Sequence, residues 1–182
     1  MRKYLMCSAL ALILVPATAV AQERHAAGEM EHGAAGVNSI KPLYEQFRDW
    51  LIASAEQVPE ELYSFQPTPE VRTFGKLIGH VASASYLFCS GALGEENPSG
   101  ENFEELTSKA RLVEELKKGF AYCDGAYEMA ESKAMEETTF FGQQNTRLWV
   151  LNFNATHNAE HYGNIVTYMR INGMTPPSSQ GN

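Results

Sequence analysis

The sequence predicts an all-α protein, a four-helix bundle that follows a cleaved N-terminal signal peptide. After residue 38, apolar residues recur at three- and four-residue spacing in four long segments, which is the period of amphipathic helices. No segment keeps the alternating pattern of a half-buried strand, and the chain has no internal repeats. Four helices of this length around one core favour a helical bundle.

Residues 1–21 have the features of a secretory signal peptide. Arg2 and Lys3 form a short positive start, an apolar run covers 5–15, and a small-x-small cleavage site ends at Ala21. Because the run is too short for a stable membrane anchor, we predict cleavage after Ala21 and an exported protein, most simply a periplasmic one. An uncleaved anchor is the alternative.

The mature chain, 22–182, is acidic and long enough for one domain with a proper core. Twelve basic side chains remain against 22 acidic ones, and no basic run occurs. This balance argues against binding to nucleic acid or to an anionic membrane, since both need basic patches. A small-molecule substrate and a second copy in a homodimer remain as expected partners.

The first half of the mature chain contains a leader, two helices and a proline-rich loop. Residues 22–38 lack apolar periodicity and are expected to form a flexible leader. The first helix is expected to begin at Ser39, a good capping residue, and to end before Pro59. A second helix is expected to begin at Thr73 and to end near Gly94, after the proline-rich loop.

The second half contains two further helices. The third is expected over 103–132, and the stretch 132–145 is looser, with a turn or short extended piece near Phe140. The fourth begins at the capping residue Thr146 and runs to about Asn172. The bundle domain is therefore predicted over 39–177, with 178–182 as a tail.

Three histidines lie on the inner apolar stripes of two predicted helices. His157 and His161 are four residues apart, so they point to the same side of the fourth helix, and His80 lies on the inner face of the second. Metal sites in bundles are built from inward side chains of facing helices. Three imidazoles leave a coordination position open, as in catalytic zinc sites, and they suit several divalent metals. Hydrogen-bonded core histidines are the alternative.

Four polar residues near the histidines are candidate pocket residues. Asn154 and Asn164 share the histidine face of the fourth helix, where burial without partners would be costly. Ser83 and Tyr86 follow His80 on the second helix, among small side chains that leave room beside the imidazole. No general base stands out, so no catalytic residue is assigned.

The chain resembles the DinB family, also called the DinB/YfiT-like proteins. Together the matching stretches cover nearly the whole mature chain in the order and spacing of that family. They are the loop phrase QPTPEVRTFG at 66–75 followed by His80, the His157-x-x-x-His161 pair, the helix tail at 161–170 and the ending at 173–177.

This resemblance implies an up-down-down-up bundle and one divalent ion, such as Zn, Ni or Fe, held by His80, His157 and His161. Family members of known activity include thiol-dependent transferases and isomerases. This chain departs from the usual pattern in its signal peptide, and small thiols are scarce outside the cytoplasm. Export therefore argues against a thiol-dependent reaction here. The expected function is a metal-dependent hydrolase or transferase of unknown substrate.

The implied topology also bears on the two cysteines of the mature chain. In a parallel pair of second and third helices, Cys89 and Cys123 lie at similar heights and can bond. In an antiparallel hairpin they would be roughly 25–30 Å apart along the axis and could not. A disulfide and two buried free thiols both remain open.

Three hypotheses follow for the function. The first is a metal-dependent enzyme, and the second is a non-enzymatic, stress-related or metal-binding protein of the periplasm. The third is a structural bundle, for example a dimer, whose histidines are hydrogen-bonded residues of the core. Metal content separates the third hypothesis from the other two.

Overall fold

The computed structural model describes residues 35–181; the predicted signal peptide, 1–21, and most of the leader lie outside the described residues. The predicted all-α bundle is confirmed. Its long helices are α1 (Val37–Gln57), α2 (Phe74–Leu93), α3 (Lys109–Ala126) and α5 (Arg147–Ile171). Between α3 and α5 lie a one-turn helix α4 (Glu131–Ala134) and two short strands, β1 (Glu137–Phe140) and β2 (Gln143–Thr146). Single 3₁₀ turns cover Glu60–Ser64, Phe103–Glu105 and Pro177–Ser179.

The middle helices α2 and α3 run parallel. Gly75 near the start of α2 faces Leu112 near the start of α3. Cys89 near the end of α2 is joined by a disulfide to Cys123 near the end of α3. Because the contact points advance together along both helices, the long connection between them must cross back along the bundle.

The outer helices run opposite to this central pair. Tyr44 near the start of α1 donates a hydrogen bond to the backbone oxygen of Phe120 near the end of α3. On the other side, Phe88 late in α2 packs on Phe153 early in α5, with ring centroids 4.9 Å apart. The order is therefore up-down-down-up, with one core among the four long helices.

The helix α1 begins at Val37, two residues before the expected cap at Ser39. The reason is a tertiary contact: the carboxylate of Glu131 accepts hydrogen bonds from the backbone N–H groups of Val37 and Asn38. Gly36, at φ +57°, leaves room for that carboxylate, because a Cβ there would lie 1.7 Å from Glu131 Oε2. A partner 94 residues away thus sets the helix start.

The third predicted helix, 103–132, is interrupted in the structure. Residues 103–105 form a separate 3₁₀ turn whose Phe103 is 2% exposed, and α3 begins only at Lys109. The turn packs directly on α2, since a Cβ added to Gly79 would lie 2.3 Å from the backbone oxygen of Phe103. Because Phe103 packs against this glycine, residues 103–108 do not continue α3 toward its N-terminus.

The loose stretch before α5, where a turn or short extended piece is expected near Phe140, contains a β-hairpin. Strands β1 and β2 pair antiparallel, with Phe140 opposite Gln143. The two turn residues, Phe141 (φ +49°) and Gly142 (φ +75°), have the two positive φ angles of a type I′ turn. Each strand has only four residues, and Phe140 is the one buried residue of the hairpin. The sequence therefore has no alternation of apolar and polar residues that would indicate strands.

Apart from α3, which ends at Ala126 instead of near 132, the remaining helix ends agree with the sequence predictions. The side chains of Thr73 and Thr146 accept hydrogen bonds from Lys76 N and Trp149 N, which caps α2 and α5. Gly94 ends α2 in the left-handed region at φ +74°. No helix within 35–181 is long and apolar enough to cross a membrane.

Candidate metal centre

The three predicted histidines meet between α2 and α5. His80 lies in the second turn of α2, whose start is capped by Thr73, and His157 and His161 lie one turn apart in the middle of α5. His161 is 7% exposed, and the other two are half-buried. Antiparallel packing of α2 against α5 brings these rings together from positions more than seventy residues apart.

The Nε2 atoms of the three rings converge. His157 Nε2 lies 3.1 Å from His80 Nε2 and 2.9 Å from His161 Nε2. All three ligand atoms are within 4.8 Å of one another. Nitrogens that lie 2.0–2.1 Å from a common ion are about 2.8–3.4 Å apart for angles between 90° and tetrahedral, so the spacing fits a shared ion.

A single two-centre hydrogen bond does not account for both short contacts of His157 Nε2. An imidazole nitrogen carries one proton or one lone pair, so His157 Nε2 can pair with only one of its two Nε2 neighbours. An ion that accepts a lone pair from each ring would satisfy all three nitrogens. The donor set, three imidazoles, suits Zn²⁺, Ni²⁺ and Fe²⁺.

Burial keeps His157 and His161 neutral at physiological pH. It lowers the pKa of His157 to about 3, and the neighbouring histidines and Arg72 add to the shift. Burial likewise lowers the pKa of His161 to about 4, again with a contribution from His80 and Arg72. A lone pair is therefore available for a metal, because only neutral imidazole is a ligand.

A carboxylate that the sequence analysis missed orients His80. Glu104, in the 3₁₀ turn before α3, has Oε1 2.8 Å from His80 Nδ1 and accepts a hydrogen bond at Oε2 from Arg72 Nε, at 2.9 Å. Burial alone would raise the pKa of Glu104, but the hydrogen bonds with Arg72 and His80 outweigh it and lower the pKa below its ordinary value. The ionised carboxylate holds the proton on Nδ1 and leaves the Nε2 lone pair facing the centre.

A cavity of about 670 Å³ adjoins the histidines. His161 lies in its wall, and Asn164, one of the predicted pocket residues, lines it as well. The amide nitrogen Nδ2 of Asn164 lies 3.5 Å from His161 Nδ1. The segment 66–77 supplies most of the opposite wall, together with Glu104.

The other three predicted pocket residues lie away from this cavity. Asn154 is fully buried, and its Oδ1 accepts a hydrogen bond from the Tyr127 hydroxyl at 2.9 Å. Ser83 Oγ accepts from the backbone N–H of Phe103 and so holds the turn that carries Glu104. Tyr86 packs beside Phe103, on the side of α2 that faces α3.

The structure thus brings together His80, His157, His161 and Asn164 and adds Glu104 and Arg72. Arg72 belongs to the loop phrase that the sequence analysis had singled out, although no role was assigned to it. Glu104 lies at the start of the third predicted helix, 103–132, and nothing in its sequence context marks it as a partner of His80.

The chain was compared with known protein families and solved structures. A model of the DinB superfamily matches residues 43–165, which include all three histidines. No curated protein gives a significant sequence match.

Three solved structures share the fold. A DinB-like protein from Bacillus cereus superposes with a TM-score of 0.65 at 18% identity, covering 74% of this chain and 93% of its own. A DinB-like protein from Bacillus subtilis gives 0.58 at 22% identity, covering 76% and 94%. A conserved protein from Enterococcus faecalis gives 0.61 at 14% identity, covering 76% and 98%.

Proposed function

Since the chain belongs to the DinB superfamily, we propose that it is a metal-dependent enzyme, a hydrolase or transferase, that holds one divalent ion with His80, His157 and His161. The observation that carries the proposal is the convergence of the three Nε2 atoms, at 2.9 and 3.1 Å, beside a cavity of about 670 Å³. Zn, Ni and Fe are the candidate ions, because neutral imidazole suits each of them.

The donor number favours catalysis over a purely structural ion. Structural zinc sites use four protein ligands, whereas catalytic sites use three and keep a position open for water or substrate. His161, one of the three proposed ligands, lines a cavity large enough for a small molecule. A bound ion would supply Lewis acidity, which lowers the pKa of a bound water or thiol.

The protein's own residues prepare this site. Glu104 fixes the tautomer and orientation of His80, and Asn164 lies against the outer nitrogen of His161. The ring of Phe88 packs 5.2 Å from that of His157, so one side of the centre is apolar and shielded from water. Burial of this kind lowers the pKa of His157 and keeps its ring neutral, as metal binding requires.

Metal analysis of the purified protein tests the proposal. We expect about one divalent ion per chain by elemental analysis, and loss of that ion in His80→Ala and in His161→Ala. His32→Ala, a histidine change outside the proposed site, is the matched control and should keep the metal. A metal-free protein that takes up no added Zn, Ni or Fe would overturn the proposal, as would equal loss in the control.

Activity is tested separately from metal content. The metal-loaded protein and a chelator-treated sample are assayed against ester, amide and thiol-transfer substrates. Turnover that disappears with the metal supports the enzyme. A loaded protein that is silent throughout favours the alternative, a non-enzymatic metal-binding protein. Export from the cytoplasm, predicted from residues 1–21, and the homodimer both stay predictions.

A further inference from the structure

Arg72 is held rigidly at the wall of the cavity. Its backbone oxygen accepts a hydrogen bond from the Tyr168 hydroxyl at 2.8 Å, which ties the residue to α5. Its Nε donates to Glu104 Oε2 at 2.9 Å, and the other oxygen of that carboxylate contacts His80. The guanidinium and the metal centre therefore share one carboxylate and have a fixed relative position.

The outer end of Arg72 faces the cavity without a partner. Among the described residues, no hydrogen-bond acceptor contacts either Nη group, although the side chain lines the cavity and is 43% exposed. A guanidinium whose Nε is already engaged presents a planar pair of Nη donors, which matches the two oxygens of a carboxylate. Its side-chain entropy has largely been lost already in the contact with Glu104, which favours ligand binding.

The charge of the cavity selects the ligand further. Its wall holds two cationic side chains, Arg72 and Lys76, and three anionic ones, Glu70, Glu104 and Glu160. The wall alone therefore carries one net negative charge, and a divalent ion on three neutral imidazoles would reverse this to one net positive charge. A carboxylate group has one negative charge and balances the site, whereas a phosphate monoester has nearly two.

We propose that the substrates of this site are small molecules with a carboxylate group, which Arg72 binds through its two Nη groups while the reacting part of the molecule lies toward the histidines. This inference rests on the proposed function and names its substrate class. Arg72 is the specificity-determining residue, and Glu104 positions both Arg72 and His80.

The test uses two probes of matched size, butyrate and butyramide, on the full Co²⁺-loaded protein. Binding is followed by the paramagnetic broadening of the probe proton signals, which also shows that the probe lies near the ion. We expect butyrate to bind about 10- to 100-fold more tightly than butyramide, the usual worth of a hydrogen bond to a charged group. In Arg72→Gln this preference should fall to near unity, with butyramide unaffected.

Arg170→Gln is the matched control, an arginine change on α5 outside the cavity, and it should keep the preference for butyrate. A preference that persists in Arg72→Gln, or no binding of butyrate to the wild type, overturns the inference. Methyl phosphate should bind more weakly than butyrate, and tighter binding would overturn the assignment to carboxylates. Cobalt content is measured on every sample, so failure of the metal centre is distinguished from failure of the carboxylate site.

Discussion

Glu104 links the two halves of the site through a single side chain. One oxygen lies against His80 Nδ1 and the other accepts from Arg72 Nε, so the carboxylate is fully engaged. A carboxylate bound on both sides is a poor general base, because proton uptake would break one of these contacts. Its role is to fix the orientation of the His80 ring and of the Arg72 guanidinium.

Replacing this carboxylate should weaken metal binding. Glu104→Gln keeps the shape of the side chain but removes its charge, so His80 Nδ1 is held less firmly. Loss of such an outer partner typically costs 10–100-fold in metal affinity, and we expect a loss of about that size in competition with a chromogenic chelator. Glu105→Gln, an exposed neighbour without this contact, should bind as the wild type does. Equal affinities for the two variants would contradict the role of Glu104.

The lowered pKa values of the histidines predict how the metal-free protein responds to acid. Histidines have a pKa near 6.5 in the unfolded chain, but burial lowers those of His157 and His161 to about 3 and 4. Between these values the unfolded chain binds more protons than the folded one, so folding stability falls as pH falls from about 6.5 towards 4. Above 6.5 these two residues should cause no pH dependence.

Urea midpoints of chelator-treated protein at pH 7.5, 6.5 and 5.0 measure this effect, since most carboxylates stay ionised over that range. The variant His157→Gln/His161→Gln is the control. It should lose less stability between pH 6.5 and 5.0 than the wild type does. Parallel curves for the two proteins would show that these histidines are not buried as described.

At the scale of elements, the 3₁₀ turn Phe103–Glu105 is the part that completes the site. It reaches the three histidines because Gly79, one residue before His80, lets the backbone of Phe103 approach α2 directly. Ser83, one helical turn further along α2, accepts a hydrogen bond at Oγ from the backbone N–H of Phe103 and so holds the 3₁₀ turn in place. A small residue and a hydroxyl on α2 therefore place the carboxylate that orients His80.

A methyl group at Gly79 should disturb both the fold and the metal. In Gly79→Ala the new Cβ would meet the Phe103 backbone oxygen at 2.3 Å, so the turn must move. We expect a loss of about 1–3 kcal/mol in the free energy of unfolding, as for other overpacked sites, together with weaker metal binding through Glu104.

Gly163→Ala on α5 is the matched control for this change. Its Cβ would meet nothing within 4 Å, so the gain in helix propensity should raise the free energy of unfolding by about 0.5–1 kcal/mol. Metal affinity should stay unchanged. If Gly79→Ala behaves in the same way in chemical denaturation, the close approach of the turn to α2 is not essential.

For the whole molecule, the disulfide joins the two parallel helices away from the three histidines. Cys89 and Cys123 are fully buried and 34 residues apart in sequence, so the bond closes the loop that contains the turn with Glu104. A cross-link over a loop of this length stabilises by about 4 kcal/mol in the chain-entropy account. Cys89 is nine residues from His80, about 13 Å along the helix, so the bond does not contact the proposed metal site.

Cys89→Ala/Cys123→Ala should therefore lower the free energy of unfolding by several kcal/mol while the folded protein still binds one ion. Denaturant unfolding and elemental analysis, both in oxidising buffer, check the two parts. Wild-type protein kept reduced is the control for lost side-chain packing, because it lacks only the bond. Equal stability of oxidised and reduced wild type would show that the bond contributes nothing.

The helical periodicity of the sequence determined the four long helices and the inward faces of His80, His157 and His161. This was possible because 3.6 residues per turn fixes which side chains share a face. Local chemistry also marked Thr73, Thr146 and Gly94 as helix ends, since capping acts within a few residues.

Only the tertiary structure decided which residues complete the site. Glu104 orients His80, and Glu131 sets the start of α1, through contacts with parts of the chain 24 and 94 residues away. A polar residue in a connecting segment has no periodic signal, and its partner depends on where that segment packs. The sequence indicated a turn or short extended piece near Phe140 but not the pairing of two strands, because each strand is too short to show alternation and Phe140 packs against Gly91 of α2.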